Sequence, residues 1–210
     1  MGAGAKHGVG DRFGGASTSR LVLGLGNPGG EYAGTRHNLG FRVVEELAQR
    51  LDVRLGAEVC GALWAAGGRV DLATPQTYMN RSGYSARCLS ERNGYAPENI
   101  LVVYDEVHLP LGRLRLRGRG SPGGHRGMES IIENLRTTAV PRLRLGIAAD
   151  ELEQADGCAG DREAGLTDFV LAPFAAGEVE AARRMVRRAA DCVMSWVDRG
   201  VDITMNEYNG

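Results

Sequence analysis

The amino-acid sequence predicts an α/β fold in which a single domain contains a twisted mixed β-sheet flanked by helices. Three observations lead to this prediction. Short apolar runs rich in Leu and Val, typical of buried strands, occur at 21–26 and 100–104. Segments with apolar residues at near-helical spacing alternate with such runs, as between Asn38 and Leu51. The length of 210 residues suits one domain that can bury a sizeable core.

Composition and charge exclude several classes of protein. Charged residues make up 24% of the chain and hydrophobic residues 43%, which is ordinary for a soluble globular protein. No apolar run approaches the roughly 18 residues that a membrane span needs, so we expect no contact with a membrane. The cysteines Cys60, Cys88, Cys158 and Cys192 are scattered without metal-binding spacing. We therefore predict neither a zinc site nor a disulfide framework, and a reducing cytoplasm fits best.

Residues 1–20 are expected to form a disordered tail, and the folded domain to extend over 21–210. The tail is rich in Gly and has almost no apolar content, so burial cannot offset the entropy cost of ordering it. It also lacks the apolar middle of a secretory signal. A weak transit peptide remains an alternative, because the tail has one acidic residue against three basic ones.

The stretch 21–40 is the part of the chain around which the candidate site is arranged. Its apolar strand ends at Asn27, which is followed by the turn residues Pro, Gly and Gly. The next ten residues place Tyr32, Arg36, His37 and Asn38 on a loop that leads into a helix. Polar groups between a core strand and a core helix are held rigidly, so this loop is a candidate binding or catalytic site.

The same stretch also contains a glycine pattern found in nucleotide-binding folds. Gly24, Gly26 and Gly29 spell GxGxxG directly after the predicted strand. Pro28, however, removes one of the N–H donors that would meet a pyrophosphate, and about ten loop residues separate the glycines from the helix. A nucleotide-binding oxidoreductase is therefore a minor alternative, and cofactor absorbance in the purified protein would reveal it.

Two further polar segments follow strand-like runs. Residues 74–80 read TPQTYMN after a hairpin predicted from strands at 60–66 and 69–74, and residues 104–110 read YDEVHLP after the run at 100–104. Helices are predicted at about 82–92, 128–135 and 176–197. In a sheet of this class, all three polar segments can converge at the carboxyl ends of strands.

A strip of positive charge lies farther along the chain. Arg113, Arg115, Arg117, Arg119 and Arg126 occur without an acidic residue between them, although the net charge of the whole chain is only -1. The first four alternate with other residues, so in a strand they share one face. Such local concentration is typical of contact with a phosphate backbone.

Six motifs in this order and at these spacings resemble those of the bacterial-type peptidyl-tRNA hydrolase family. They are GLGNPGGEYAGTRHNLGF, TPQTYMNRSG, YDEVHLPLGRLRLR, GGHRGMESII, PRLRLGI and FVLAPF, and they extend from Leu21 to about Asn206. The resemblance implies a peptidyl-tRNA hydrolase-like fold and hydrolysis of the ester that joins a stalled peptide to tRNA. It also implies a cytoplasmic monomer that needs no metal or cofactor. The substrate would be peptidyl-tRNA that ribosomes release as drop-off products, and the protein would contact its acceptor stem and 3′ end.

The resemblance also implies a role for individual residues. His37 would act as general base on water, with Asp105 accepting a hydrogen bond from its ring, and Asn27 would distinguish a blocked peptide amide from a free amino group. The residues that would hold the acceptor end are Tyr32, Tyr78, Met79 and Asn80. Arg117 and Arg144 would clamp the 5′-phosphate of the tRNA.

One position departs from the commoner family pattern. The glycine-rich loop ends GGHRG where GGHNG is more usual, so Arg126 replaces a substrate-binding asparagine. Arginine donates hydrogen bonds but accepts none, so the detailed contact with the substrate changes. His125 beside it is interpreted as a structural or loop-orienting residue.

The alternative function is that of a non-catalytic RNA-binding member of the same fold, of the organelle intron-splicing type. The presence of His37, Asn27, Asn80 and Asp105 favours the enzyme.

Overall fold

The computed structural model describes residues 20–148 and 159–209. The predicted disordered tail lies outside these residues except for Arg20, which begins the first strand. Within the described residues, no helix is long and apolar enough to cross a membrane.

In the described ranges the strands form one mixed sheet. The strands are β1 (Arg20–Gly24), β2 (Ala57–Val59), β3 (Ala62–Ala65), β4 (Val70–Pro75), β5 (Ile100–Pro110), β6 (Leu114–Arg117) and β7 (Arg142–Ala148). Their spatial order is β2-β3-β4-β1-β5-β7-β6. Strands β4, β1, β5 and β7 are parallel, whereas β2, β3 and β6 run antiparallel to their neighbours. The carboxyl ends of the four parallel strands therefore meet at one edge, as predicted.

Helices cover both faces of this sheet. They are α1 (Leu39–Arg50), α2 (Ser82–Asn93), α3 (Arg126–Leu135), α4 (Ala159–Leu171), α5 (Val179–Arg199) and α6 (Val201–Tyr208). One core cluster joins the sheet to α1 and α5 and includes Val43 and Trp196. The other joins it to α2 and α3 and includes Leu89 and Ile131. The predicted class, a single α/β domain with a mixed sheet flanked by helices, is confirmed.

Gly24, the first glycine of the GxGxxG pattern, and Gly40 allow close packing between β1 and α1. A Cβ atom on Gly24 would overlap the carbonyl oxygen of Gly40, and one on Gly40 would overlap the backbone of Leu25. The helix can therefore approach the strand more closely than larger residues allow. Because α1 begins only at Leu39, its N-terminus does not follow the glycine turn as a dinucleotide fold requires.

The prediction about cysteines is wrong for one pair. Cys60, in the turn between β2 and β3, forms a disulfide with Cys88 of α2, with a Cα–Cα distance of 5.6 Å. The two residues are 28 positions apart in the chain, and only the fold brings the turn onto the helix. Their spacing in the sequence therefore does not indicate a disulfide. Cys192 is a free thiol buried in α5, and Cys158 lies outside the described residues.

The predicted helices and hairpin are largely confirmed. Gly67 and Gly68 connect the antiparallel strands β3 and β4, and Gly94 ends α2 in the left-handed conformation. The short strand β2 and the helices α4 and α6 were not predicted. Gly200, with φ of 81°, separates α6 from α5, so a periodic pattern alone does not mark the break.

Candidate active site

A cavity of about 530 Å³ lies at the carboxyl ends of β1, β4 and β5. The loops after β1 and β4 and the second half of β5 supply most of its polar lining, which confirms the predicted convergence. The sequence-predicted residues that line it are Asn27, His37, Tyr78, Met79, Asn80, Asp105 and Arg126.

His37 and Asp105 are in direct contact in this cavity. The Nδ1 atom of His37 lies 2.9 Å and 3.0 Å from the two carboxylate oxygens of Asp105. His37 belongs to a short 3₁₀ turn, Arg36–Asn38, directly before α1, whereas Asp105 belongs to the central strand β5. A carboxylate at Nδ1 favours the tautomer that carries its proton there, which leaves Nε2 with the lone pair.

Asp105 is an ionised group in a buried place. Only 1% of its side chain is exposed. Burial alone would raise the pKa of Asp105, but attraction to His37 and hydrogen bonds from His125 and His37 lower it well below its ordinary value. The carboxylate is therefore ionised at neutral pH and available as an acceptor.

His125 is a second histidine on the same carboxylate, a contact that sequence reasoning missed. Its Nε2 lies 3.3 Å from the Oδ1 atom of Asp105. Its Nδ1 accepts the backbone N–H of Met128 at 3.2 Å and so caps α3. Because Nδ1 accepts, the neutral ring must carry its proton on Nε2, where it donates to Asp105. The ring also packs against Tyr104, with centroids 4.4 Å apart.

His37, Asp105 and His125 are also the group that could hold a metal ion among the described residues. Their ligand atoms lie within 4.8 Å of one another. The hydrogen bonds account for this proximity without a cation, because each facing ring nitrogen carries a proton in the tautomers derived above. A metal would have to displace both protons and break the contacts that orient His37.

Asn27 is held by two separate interactions. Its backbone N–H and C=O pair with the side-chain amide of Asn38, each at 2.9 Å. Its own Oδ1 accepts the backbone N–H of Met79 at 2.8 Å. The oxygen end of the Asn27 amide is thus committed, and the NH₂ end is the one available to a ligand in the cavity.

The segment after β4 forms the opposite wall. Met79 is buried in a 3₁₀ turn, while Asn80 is exposed and Tyr78 is 62% exposed. The hydroxyl of Ser82 donates to the carbonyl of Met79 at 2.9 Å and fixes the turn at the start of α2. Tyr78 and Asn80 therefore project from a rigid base into the mouth of the cavity.

Three of the predicted substrate-binding residues do not line this cavity. Tyr32 lies in the preceding turn, where its carbonyl accepts from the N–H and the hydroxyl of Thr35. Arg144 forms an ion pair with Glu106, which lines the cavity, at 3.3 Å. Arg117 lines a different cavity of about 600 Å³ at the amino ends of the parallel strands.

Arg117 and Arg144 nevertheless share one face of neighbouring strands. Arg115 pairs with Arg144 and Arg117 with Arg142 across the antiparallel β6–β7 ladder. Directly paired residues point to the same side of a sheet, so the four arginines form a row of two pairs. The alternation predicted for Arg115 and Arg117 is correct within β6, whereas Arg113 and Arg119 lie outside that strand. Arg142 is fully buried.

An apolar wall of the cavity was not predicted from the sequence. It consists of Val107 from β5 and of Leu166, Val170 and Leu171 from α4. Val170 and Leu171 belong to the motif FVLAPF, but an apolar motif does not reveal which surface its side chains line. The wall gives the cavity a surface that suits an apolar part of a ligand next to its polar groups.

The family model described as peptidyl-tRNA hydrolase matches residues 21–210. A peptidyl-tRNA hydrolase of Moorella thermoacetica is 45% identical over 194 residues, covering 90% of this chain and 97% of the relative. One of Synechococcus sp. (strain JA-3-3Ab) is 44% identical, covering 90% and 82%. The crystal structure of peptidyl-tRNA hydrolase from Acinetobacter baumannii superposes with a TM-score of 0.81 at 33% identity, covering 94% and 97% of the two chains. This chain belongs to the peptidyl-tRNA hydrolase family.

Proposed function

We propose that this protein hydrolyses the ester bond of peptidyl-tRNA with His37 as the general base on water. The contact between His37 and Asp105 at the wall of the cavity is the observation that carries the proposal. It presents the Nε2 lone pair as the basic atom and stabilises the imidazolium that forms when Nε2 takes a proton. Family membership supplies the substrate.

The reaction needs one water and one proton carrier. Nε2 of His37 removes a proton from water as the water oxygen attacks the ester carbonyl carbon. The tetrahedral intermediate then expels the ribose oxygen, which takes the proton from Nε2 of the His37 imidazolium and leaves as the free 3′-terminal hydroxyl of tRNA. The peptide leaves as a carboxylic acid, which releases its proton to solvent and becomes a carboxylate. Asp105 keeps its charge throughout and holds the ring of His37 in one orientation.

Amide groups position the ester and the peptide. The NH₂ group of Asn27 donates to a carbonyl oxygen of the peptidyl group, because its own oxygen is committed to Met79. Asn80 offers a donor and an acceptor on the opposite wall, and the apolar surface of α4 receives the peptide side chain. Tyr78, with Tyr32 in the preceding loop, contacts the acceptor end.

Arginines bind the tRNA away from the chemistry. Arg117 and Arg144, which share one face of β6 and β7, bind the 5′-phosphate of the acceptor stem. For Arg144 this means that the phosphate competes with Glu106 for its guanidinium. We further propose that the protein acts as a monomer in the cytoplasm, on the products that ribosomes release by drop-off.

The test is release of N-acetylated amino acid from N-acetyl-aminoacyl-tRNA. His37→Ala should lower kcat by about 10²- to 10⁴-fold, the usual contribution of a general base, while the Kd for tRNA changes little. The mechanism uses no metal, so EDTA should leave the rate unchanged. A His37→Ala variant as fast as the native chain, or activity abolished by EDTA, would contradict the proposal.

A further inference from the structure

Tyr104 is a fully buried aromatic residue of β5 that directly precedes Asp105. In the parallel ladder between β5 and β7 it pairs with Arg144. Side chains that pair in register point to the same side of a sheet, so the phenol and the guanidinium lie on one face. Burial raises the pKa of Tyr104 against the opposing effect of the nearby Arg144 charge, so its hydroxyl is neutral.

The ring of Tyr104 supports the second histidine on Asp105. The centroids of Tyr104 and His125 are 4.4 Å apart, and the two rings are tilted by 47°. Nε2 of His125 donates to Oδ1 of Asp105 at 3.3 Å, which is longer than the usual range for such a bond. Hydrogen bonds in active sites are often long before the substrate binds and shorten in the complex. The contact between His125 and Asp105 therefore has room to tighten.

Two buried polar atoms on this face make no hydrogen bond with any of the described residues. They are the hydroxyl oxygen of Tyr104 and Nε of Arg144. Unpaired polar atoms in a protein interior lower stability, because they have lost water without gaining a partner. The N–H at Nε donates and the phenolic oxygen accepts, so each atom is the partner that the other lacks. The two side chains thus hold the two halves of a hydrogen bond that is not formed.

The guanidinium of Arg144 is directed instead towards Glu106. Nη1 of Arg144 lies 3.3 Å from Oε2 of Glu106. This single contact is longer than the usual charge-assisted bond, whereas a phosphate group can accept two bonds from one guanidinium. In the proposed function the 5′-phosphate of tRNA competes with Glu106 for Arg144. The guanidinium must then turn when it exchanges one partner for the other.

We propose that Tyr104 is a positioning residue that transmits binding of the 5′-phosphate at Arg144 to the hydrogen bond between His125 and Asp105. When the guanidinium turns from Glu106 to the phosphate, its Nε donates to the hydroxyl of Tyr104. This bond fixes the phenol ring against His125, and Nε2 of His125 closes on Asp105. The inference rests on the proposed function, which assigns the 5′-phosphate to Arg144. It adds that the phosphate increases kcat as well as affinity.

The experiment measures kcat and KM for N-acetyl-aminoacyl-tRNA with a 5′-phosphate and for the same tRNA with a 5′-hydroxyl group. In the native chain the phosphate should lower KM and raise kcat at least about fivefold, the lower end of typical coupling between two sites. Tyr104→Phe keeps the ring and removes only the hydroxyl. This variant should retain the effect of the phosphate on KM and lose the effect on kcat. Its kcat for the 5′-hydroxyl substrate should equal that of the native chain.

Tyr95→Phe is the matched control. Tyr95 is a buried residue of the same core cluster as Tyr104, but its hydroxyl already donates to Asp71 of β4. Tyr95→Phe should be less stable in thermal unfolding and should keep the full effect of the phosphate on kcat. Tyr104→Phe should be at least as stable as the native chain, because the hydroxyl that it removes has no partner in the free protein.

Four outcomes would overturn the inference. An equal loss of kcat on both substrates would give the hydroxyl of Tyr104 a merely structural role. An undiminished effect of the phosphate on kcat in Tyr104→Phe would remove the hydroxyl from the coupling, and a less stable Tyr104→Phe would show that the hydroxyl is already bonded. A native chain in which the phosphate changes KM alone would overturn the coupling and leave the clamp intact.

Failure of the proposed function gives a different result. A native chain in which the phosphate changes neither KM nor kcat lacks the clamp, and one that hydrolyses neither substrate lacks the proposed activity. Either result would also remove the basis of the inference.

Discussion

Replacement of Asp105 by Asn tests the centre of the proposed mechanism. The change keeps the size of the side chain and removes its charge. In the native chain the carboxylate accepts from Nδ1 of His37 and from Nε2 of His125. Nδ1 of His37 lies 2.9 Å and 3.0 Å from the two carboxylate oxygens, so the NH₂ group of an amide is a donor placed against His37 in either orientation of the side chain.

The backbone N–H of Met128 determines which of the two histidines can change its tautomer. It fixes the proton of His125 on Nε2, because Nδ1 is the acceptor that caps α3. The amide oxygen then takes the Oδ1 position, where His125 donates, and the NH₂ group takes the Oδ2 position 3.0 Å from Nδ1 of His37, which must rotate or change tautomer. When His37 is the one that changes, Nε2 carries the proton and the base is lost. The expected loss in kcat is about 10²- to 10⁴-fold, or about 3–5 kcal/mol.

Single-turnover hydrolysis of N-acetyl-aminoacyl-tRNA measures this loss directly. Glu106→Gln is the control, because Glu106 adjoins Asp105 in β5 but pairs with Arg144. Asp105→Asn added to His37→Ala should cause little further loss, since both act on one proton transfer. An Asp105→Asn variant within threefold of the native kcat, or one no slower than Glu106→Gln, would refute the assignment.

The same carboxylate predicts a pH effect on stability. The folded state lowers the pKa of Asp105 below its unfolded value of about 3.9. The unfolded state therefore binds more protons in this range, and the stabilisation is present above about pH 4 and lost as the pH falls through the folded value. Urea unfolding of Asp105→Asn should lack this part of the acid sensitivity of the native chain.

Three other predictions concern binding, specificity and the disulfide. Arg117→Ala should raise KM and lower the slope of log KM against log salt by about one, the share of one phosphate contact, and should do so only for tRNA that carries a 5′-phosphate. Equal effects on tRNA without this phosphate would exclude the clamp. Arg126→Asn should change kcat/KM by less than about tenfold, whereas a salt-dependent rise in KM as large as that of Arg126→Ala would make Arg126 a main tRNA anchor. Cys60→Ser should lower the stability of oxidised protein by about 2–4 kcal/mol, and Cys88→Ser should match it; dithiothreitol should then have no further effect on either variant.

The sequence predicted the frame of the site because the frame depends on local patterns. Apolar runs that end in turn residues marked the strands, and parallel strands place their carboxyl ends together. Asn27, the segment around Tyr78 and Asp105 could therefore be assigned to one place before any contact was known. Their exact partners could not, since the bond from Met79 to Asn27 joins residues 52 positions apart.

The contacts that were not predicted, those of His125 and of the pair Cys60 and Cys88, each join a loop or a turn to a helix or strand elsewhere in the chain. His125 belongs to a glycine-rich loop, and three of its glycines, at 120, 123 and 124, have positive φ, so no periodic pattern predicts where the loop places the ring. Cys60 and Cys88 are in a turn and a helix, and the bond between them closes a loop that no sequence spacing reveals. In both cases the tertiary fold sets the contact.

The arginines show most clearly that the sequence does not reveal whether a charged side chain is buried or exposed. The sequence places Arg36 on the polar loop before α1 and indicates no role for Arg142, and the structure buries both. Arg142 donates to the carbonyls of Val140, Gly120, Ser121 and Thr138, and Arg36 to that of Pro173 and to Glu178. Each guanidinium therefore satisfies backbone groups of irregular segments, which would otherwise lack partners. Arg142 supports the loop that carries His125, and Arg36 fixes the loop of His37 to the chain after α4. These two cations stabilise the site from inside the protein, whereas Arg117 and Arg144 are only partly buried and remain available to bind tRNA.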